Sequence, residues 1–161
     1  MTEVEILEIG PDEWEVFRDL RLRALRDAPR AFGSRYADWA QAPEERWRDR
    51  LVNVPFNVAA RLDGELVGMA SGVLDGDEQT ELISMWVDPG ARGSGVFEVL
   101  VDAVVEWARA AGRTTYLMVR SDNARAIAAY TRAGFLDLGV PPDFDPDAPP
   151  ENKMVHRGAP D

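Results

Sequence analysis

Residues 87–96 run Val87-Asp88-Pro89-Gly90-Ala91-Arg92-Gly93-Ser94-Gly95-Val96. An apolar run precedes this stretch and an amphipathic one comes after it. It is therefore the end of a strand, a glycine-bearing turn and the start of a helix. Such a turn aims unpaired backbone N–H groups and the positive end of the helix dipole at one spot. A pyrophosphate suits that spot, and Arg92 adds a formal positive charge. A P-loop is excluded, because Val96-Phe97 follows Gly95 where Lys and then Ser or Thr are required. A dinucleotide fingerprint fails as well, since Glu98 stands where its third glycine belongs.

Working outward, Thr80 to Val87 predicts a strand and about Gly95 to Ala111 a long helix. The helix stripe is Val96, Leu100, Ala103, Val104, Trp107 and Ala111, with Glu98, Asp102, Glu106 and Arg109 facing out. Gly112 stops it. Thr114 to Val119 is nearly continuous in apolar residues, as in a strand covered on both faces. A right-handed crossover then sets 80–87 and 114–119 side by side and parallel. Downstream come a helix from about Ala124 to Ala133, a stop at Gly134 and a strand from Phe135 to Leu138. Five prolines and four acids make 140–151 an extended acidic loop, and Lys153 to Arg157 predicts a last edge strand.

Upstream, Val4 to Ile9 alternates as a half-buried strand. Asp12 caps a helix over about Glu13 to Asp27, with Trp14, Phe17, Leu20, Leu22 and Leu25 apolar and Arg18, Arg21, Arg23 and Arg26 wet. Arg30 to Gln41 is poorly patterned and predicts a loop or irregular helix. Pro43 begins a short helix through Leu51. Asn57 to Leu62 and Leu66 to Leu74 flank Asp63-Gly64, a dipeptide suited to a two-residue hairpin turn. Nine arginines between Arg18 and Arg50 are interleaved with nine acids between Asp12 and Asp49, which predicts a salt-bridged solvated face rather than a nucleic-acid patch.

The 161 residues suit one domain over 1–161. With 45% apolar residues the composition is that of an ordinary globular protein. A net charge of −11 argues against gripping nucleic acid and favours a cationic or amine-bearing partner. There is no cysteine, which excludes disulfides, thiolate zinc and a cysteine nucleophile. The single histidine, His156, is expected to be a tail residue near the last strand rather than part of a triad. The acidic first residues do not look like a secretory signal, and no run is long enough to span a membrane. A cytoplasmic protein without membrane contact is expected. No metal is expected either: Asp143, Asp145 and Asp147 alternate as in a calcium loop, but Pro146 and a missing final glutamate do not fit.

With Arg92, Gly95 and the Val87-Asp88-Pro89 lead-in, the first stretch resembles the GNAT superfamily of N-acetyltransferases, whose motif is Gln/Arg-x-x-Gly-x-Gly/Ala. Phe97 fills the final slot and is a departure. Residues 122–135 are similar to a second element of that family, Asn-x-x-Ala-x-x-x-Tyr-x-x-x-Gly-Phe, through Asn123, Ala126, Tyr130, Gly134 and Phe135. Together the two elements cover about residues 79–139. The fold implied is α/β (α+β): one domain with a mixed, mostly antiparallel sheet, a central splayed parallel pair and flanking helices.

The resemblance also implies roles. The amides of Arg92, Gly93, Ser94, Gly95, Val96 and Phe97 would hold the pyrophosphate of acetyl-coenzyme A. The backbone of Met85, Trp86 and Val87 would pair with the pantetheine arm at a bulge. Met85 N–H would stabilise the oxyanion, Asn123 would contact the cofactor or cap the next helix, and Tyr130 would protonate the leaving thiolate. Glu81 is the candidate base, because strict alternation sets Glu81, Ile83, Met85 and Val87 on one face. The acceptor would be a primary amine on a small molecule, peptide or protein, walled by about 28–43 and 139–151. A homodimer is left open. The alternative is a catalytically silent coenzyme-A-binding regulatory or interaction domain.

Overall fold

The computed structural model describes residues 3–28 and 36–158. In chain order the elements are β1 (Val4–Glu8), α1 (Trp14–Asp27), α2 (Tyr36–Ala40), α3 (Glu44–Asn53), β2 (Phe56–Leu62), β3 (Glu65–Asp75), β4 (Gln79–Val87), α4 (Val96–Ala110), β5 (Thr114–Arg120), α5 (Ala124–Arg132), β6 (Phe135–Asp137) and β7 (Glu151–His156). Single 3-10 turns at Pro11–Glu13 and Pro89–Ala91 lead into α1 and α4. The expected irregular stretch from Arg30 to Gln41 contains the single helical turn α2; its residues 30–35 lie outside the described residues.

Seven strands form one sheet in the order β1-β2-β3-β4-β5-β7-β6. Every neighbouring pair is antiparallel except β4 and β5. The β2–β3 hairpin turns at Asp63 (φ 52°) and Gly64 (φ 83°), both left-handed, as the dipeptide predicts. The last strand is not at the edge. It inserts between β5 and β6, pairing Tyr116 with Val155 on one side and Phe135 with His156 on the other. Local sequence could not reveal this, because both of its partners are distant along the chain.

The sheet carries an apolar layer on each face. On one, Val96, Leu100, Val101 and Val104 of α4 pack with Leu82, Val87, Leu117, Phe135 and Met154. On the other, Phe17 and Leu20 of α1 and Trp47 and Leu51 of α3 pack with Ala59, Met69 and Trp86. The buried face of α4 is broader than the expected stripe: it includes Val101, Val105 and Ala108, while Ala111 is exposed. Arg21 is a correction too. It was expected in water, but it is 8% exposed and shares the inner face of α1 with Phe17, Leu20, Ala24 and Leu25.

Gly68 fixes how closely α4 approaches β3. A Cβ there would lie 2.9 Å from both Leu100 Cδ1 and the Trp86 carbonyl oxygen. The carbonyl belongs to the backbone and cannot swing away, so Gly68→Ala is expected to destabilise the fold by about 1–3 kcal/mol in urea unfolding.

Candidate active site

The parallel pair is joined only at its start, where Gln79–Glu81 face Thr114–Tyr116. Beyond Glu81 the strands part, while β5 remains paired to β7 as far as Arg120. The parting coincides with a bulge in β4. Met69 and Ser71 of β3 pair with Trp86 and Ile83, so Ser84 and Met85 together face Ala70, and Ser84 adopts φ 55°. A β-bulge inserts one residue and bends the strand, so the side chains beyond it are re-aimed.

This overturns the alternation used to place Glu81. Before the bulge, Leu82 points to the α4 layer; after it, Val87 does, and Trp86 points to the α1 layer. Glu81 and Ile83 therefore lie on the face opposite Met85 and Val87. Glu81 nevertheless borders the same space as Met85, because the parted strands open a cavity of 540 Å³ lined by Glu81, Met85, Asn123 and Tyr130 among others.

At one end of the cavity Tyr116 Oη donates to Asp75 Oδ2 at 2.5 Å and lies 3.5 Å from Glu81 Oε1. Burial, aided by the nearby Asp75 carboxylate, raises the pKa of Glu81 above the usual glutamate range; the Tyr116 hydroxyl opposes the shift. Tyr116 and Asp75 escaped the sequence reading because they are 41 residues apart and join only through the sheet.

Tyr130 is 9% exposed, and no protein group hydrogen-bonds its hydroxyl among the described residues. Burial pushes the phenol's pKa up, so it keeps its proton. Phe97 packs on Tyr130 with ring centroids 5.2 Å apart, and Tyr130 meets Phe135 edge-on at 5.6 Å. Phe97 thus fills its motif position by turning inward. Asn123 caps α5, its Oδ1 accepting from Ala126 N–H at 3.1 Å, and also lines the cavity.

The turn before α4 uses some of its amides internally. Arg92 N–H reaches Pro89 O at 3.4 Å and Ser94 N–H reaches Ala91 O at 3.3 Å. The N–H groups of Gly93, Gly95, Val96 and Phe97 have no acceptor among the described residues. Gly93 (φ 81°) and Gly95 (φ 96°) take the left-handed conformation that glycine adopts without steric cost. The Arg92 guanidinium pairs with Asp27 at 3.1 Å, and the same carboxylate accepts from Trp86 Nε1 at 3.0 Å. Trp86 and Val87 are buried as side chains, and neither they nor the Arg92–Phe97 turn line the cavity. The Phe97–Tyr130 ring contact joins the turn to it.

The opposite end of the cavity holds groups the sequence reading placed in solvent. Arg21 and Arg50 both line it, and burial lowers the pKa of each to about 10. Phe17, Trp39 and Trp47 form an aromatic wall beside them.

Comparison with known proteins agrees with this geometry. The profile of the "Acetyltransferase (GNAT) family" matches residues 14–135. The chain belongs to that family. This GNAT chain is 36% identical over 97 residues to the N-alpha-acetyltransferase RimI of Mycobacterium tuberculosis, covering 57% of this chain and 60% of that one. It is 30% identical over 158 residues to the mycothiol acetyltransferase of Cellulomonas flavigena, covering 91% of this chain and 43% of the relative. Across the curated relatives it matches, it spans 32% to 60% of their length. In fold it resembles Ard1 from Thermoplasma volcanium (TM-score 0.71, 21% identity, 95% and 97% of the two chains). It also resembles the PaiA N-acetyltransferase of Thermoplasma acidophilum in complex with coenzyme A (TM-score 0.72, 15% identity, 94% and 98% of the chains). No described helix is long and apolar enough to cross a membrane.

The Asn123 cap is separable from any contact with a ligand. Asn123→Ala is expected to cost about 1 kcal/mol in urea unfolding without coenzyme. Asn123→Asp, which retains a capping oxygen, is expected to restore that stability.

Proposed function

We propose that this GNAT chain transfers an acetyl group from acetyl-coenzyme A to a primary amine by direct attack in a ternary complex. The observation that carries the reading is that Glu81, the bulged Met85 and Tyr130 all border one cavity at the parting of β4 and β5. Acetyl-coenzyme A supplies a thioester whose carbonyl carbon the amine attacks. The chain has no cysteine to carry the acyl group on the way.

Four amides without protein acceptors at a helix N-terminus, those of Gly93, Gly95, Val96 and Phe97, suit a pyrophosphate. The edge of β4 beyond Glu81, unpaired on its β5 side, suits the amide-bearing pantetheine arm. Met85 shares the bulge opposite Ala70 with Ser84, and its N–H is the donor assigned to the oxyanion. Glu81, directly or through a water, takes the proton the amine loses as the new C–N bond forms. Tyr130 gives its proton to the sulfur as the C–S bond breaks. Its raised pKa keeps that proton available at neutral pH.

Coenzyme A binding by calorimetry and thiol release across an amine panel test the reading. Tyr130→Phe is expected to lower kcat roughly 100-fold with little change in coenzyme affinity or stability, since the hydroxyl has no protein partner to lose. Tight coenzyme binding with no turnover on any amine would instead mark a binding-only domain.

A base with a raised pKa loses function as pH falls through that pKa. The acid limb of the kcat/KM profile is therefore expected above the ordinary glutamate range. Glu81→Gln is expected to flatten that limb and lower the plateau, while Tyr116→Phe, which removes the hydroxyl that favours the carboxylate, is expected to move the limb higher.

A further inference from the structure

We propose that the acceptor is a small amine that also carries a carboxylate, with Arg50 and Arg21 holding the carboxylate while Glu81 receives the amine. This rests on the acetyltransferase reading above and names its substrate class.

Arg50 donates only to neutral oxygens: Asn57 Oδ1 at 2.9 Å, Ser84 Oγ at 3.1 Å and Ser71 Oγ at 3.3 Å, with its guanidinium 4.9 Å from the Phe17 ring centroid. Arg18, Arg23, Arg48, Arg61, Arg92, Arg109 and Arg120 each meet a carboxylate, whereas Arg50 has no such ion pair among the described residues. Arg21, 8% exposed, lines the same cavity, and its charge acts unfavourably on Arg50. A guanidinium held out of water and donating only to neutral oxygens, as that of Arg50 does, gains from an added anion. A planar guanidinium fork matches a carboxylate.

The cavity is acidic at its other end. The charges acting on Glu81 are those of Asp75, Glu151 and Lys153, and neither arginine is among them. The cavity thus offers guanidinium charge away from Glu81 and carboxylates beside it, with the Arg120 of its lining already paired to Asp122 at 3.2 Å, a complement to a zwitterion. The spacing favours a short one. Ser84, which accepts from Arg50, adjoins Met85, so an anion at Arg50 lies one residue from the assigned oxyanion donor. A volume of 540 Å³ that also admits the thioester end leaves room for a small acceptor. The chain's net negative charge, which favours a cationic partner at long range, does not describe this interior.

The test pairs free amino acids (glycine, methionine, glutamate, phenylalanine) with their α-carboxamides, following thiol release from acetyl-coenzyme A. For the best pair, kcat/KM is expected to favour the acid roughly 100-fold. Arg50→Gln is expected to reduce that preference to a few-fold by lowering the acid's kcat/KM while the amide's stays within a few-fold. Carboxamides used as well as acids, or both lowered equally by Arg50→Gln, would overturn the proposal. So would O-phosphoethanolamine outperforming every amino acid, which would assign the arginines to phosphate. If Arg50→Gln does not fold, the wild-type comparison decides alone. If no amine turns over, the catalytic reading fails separately, and titration of acid and carboxamide into coenzyme-A-loaded protein decides this one: binding of the acid alone supports it, while equal binding or none overturns it.

Discussion

One extra residue in β4 sets the geometry of everything around the candidate site. Ser84 and Met85 occupy the space of a single partner in β3, and the strand leaves the bulge re-aimed. Contact with β5 ends at Glu81, and the gap that opens contains the cavity. The bulge also presents Ser84 Oγ to Arg50. A regular ladder here would close the gap and return Glu81 to the face of Met85. Ser84 holds φ 55° without being glycine, a conformation that costs energy and persists because the surrounding sheet holds it.

Charge acts on two scales in this protein. The surface is strongly acidic, and several exposed arginines are matched by carboxylates, such as Arg48 with Asp12 and Glu44. Exposed pairs of this kind contribute little to stability. Inside, the pattern is sparse and segregated, with Glu81 near Asp75 at one end and Arg21 near Arg50 at the other. Water screens the outer charges; the inner ones lack that screening and decide which functional groups can stay.

Where physics is local, the sequence was informative. Asp63-Gly64 specified its turn, the 3.6-residue period specified α4, and the glycine-bearing turn with the Asn123–Phe135 element pointed to the family. Where pairing partners are remote, it was silent. Arg21 and Arg50 sit among interleaved acids that make every arginine there look solvated. Only the packing of α1 and α3 on the sheet turns these two inward. Strict alternation failed for Glu81 because a bulge breaks the two-residue period, and no single residue type marks one. Tyr116 and Asp75 meet because Gln79–Glu81 pair with both Asp75–Val73 and Thr114–Tyr116, a register that composition does not encode.

The interior place of β7 has a consequence for biosynthesis. Glu151–His156 is made after every other described strand, yet it bridges β5 and β6 and contributes Glu151 to the cavity. Until it emerges, β5 keeps a bare edge and β6 has no neighbour in the sheet. The nascent chain can close the β2–β3 and β3–β4 hairpins early, but the pocket acquires its Glu151 wall only after β7 has followed.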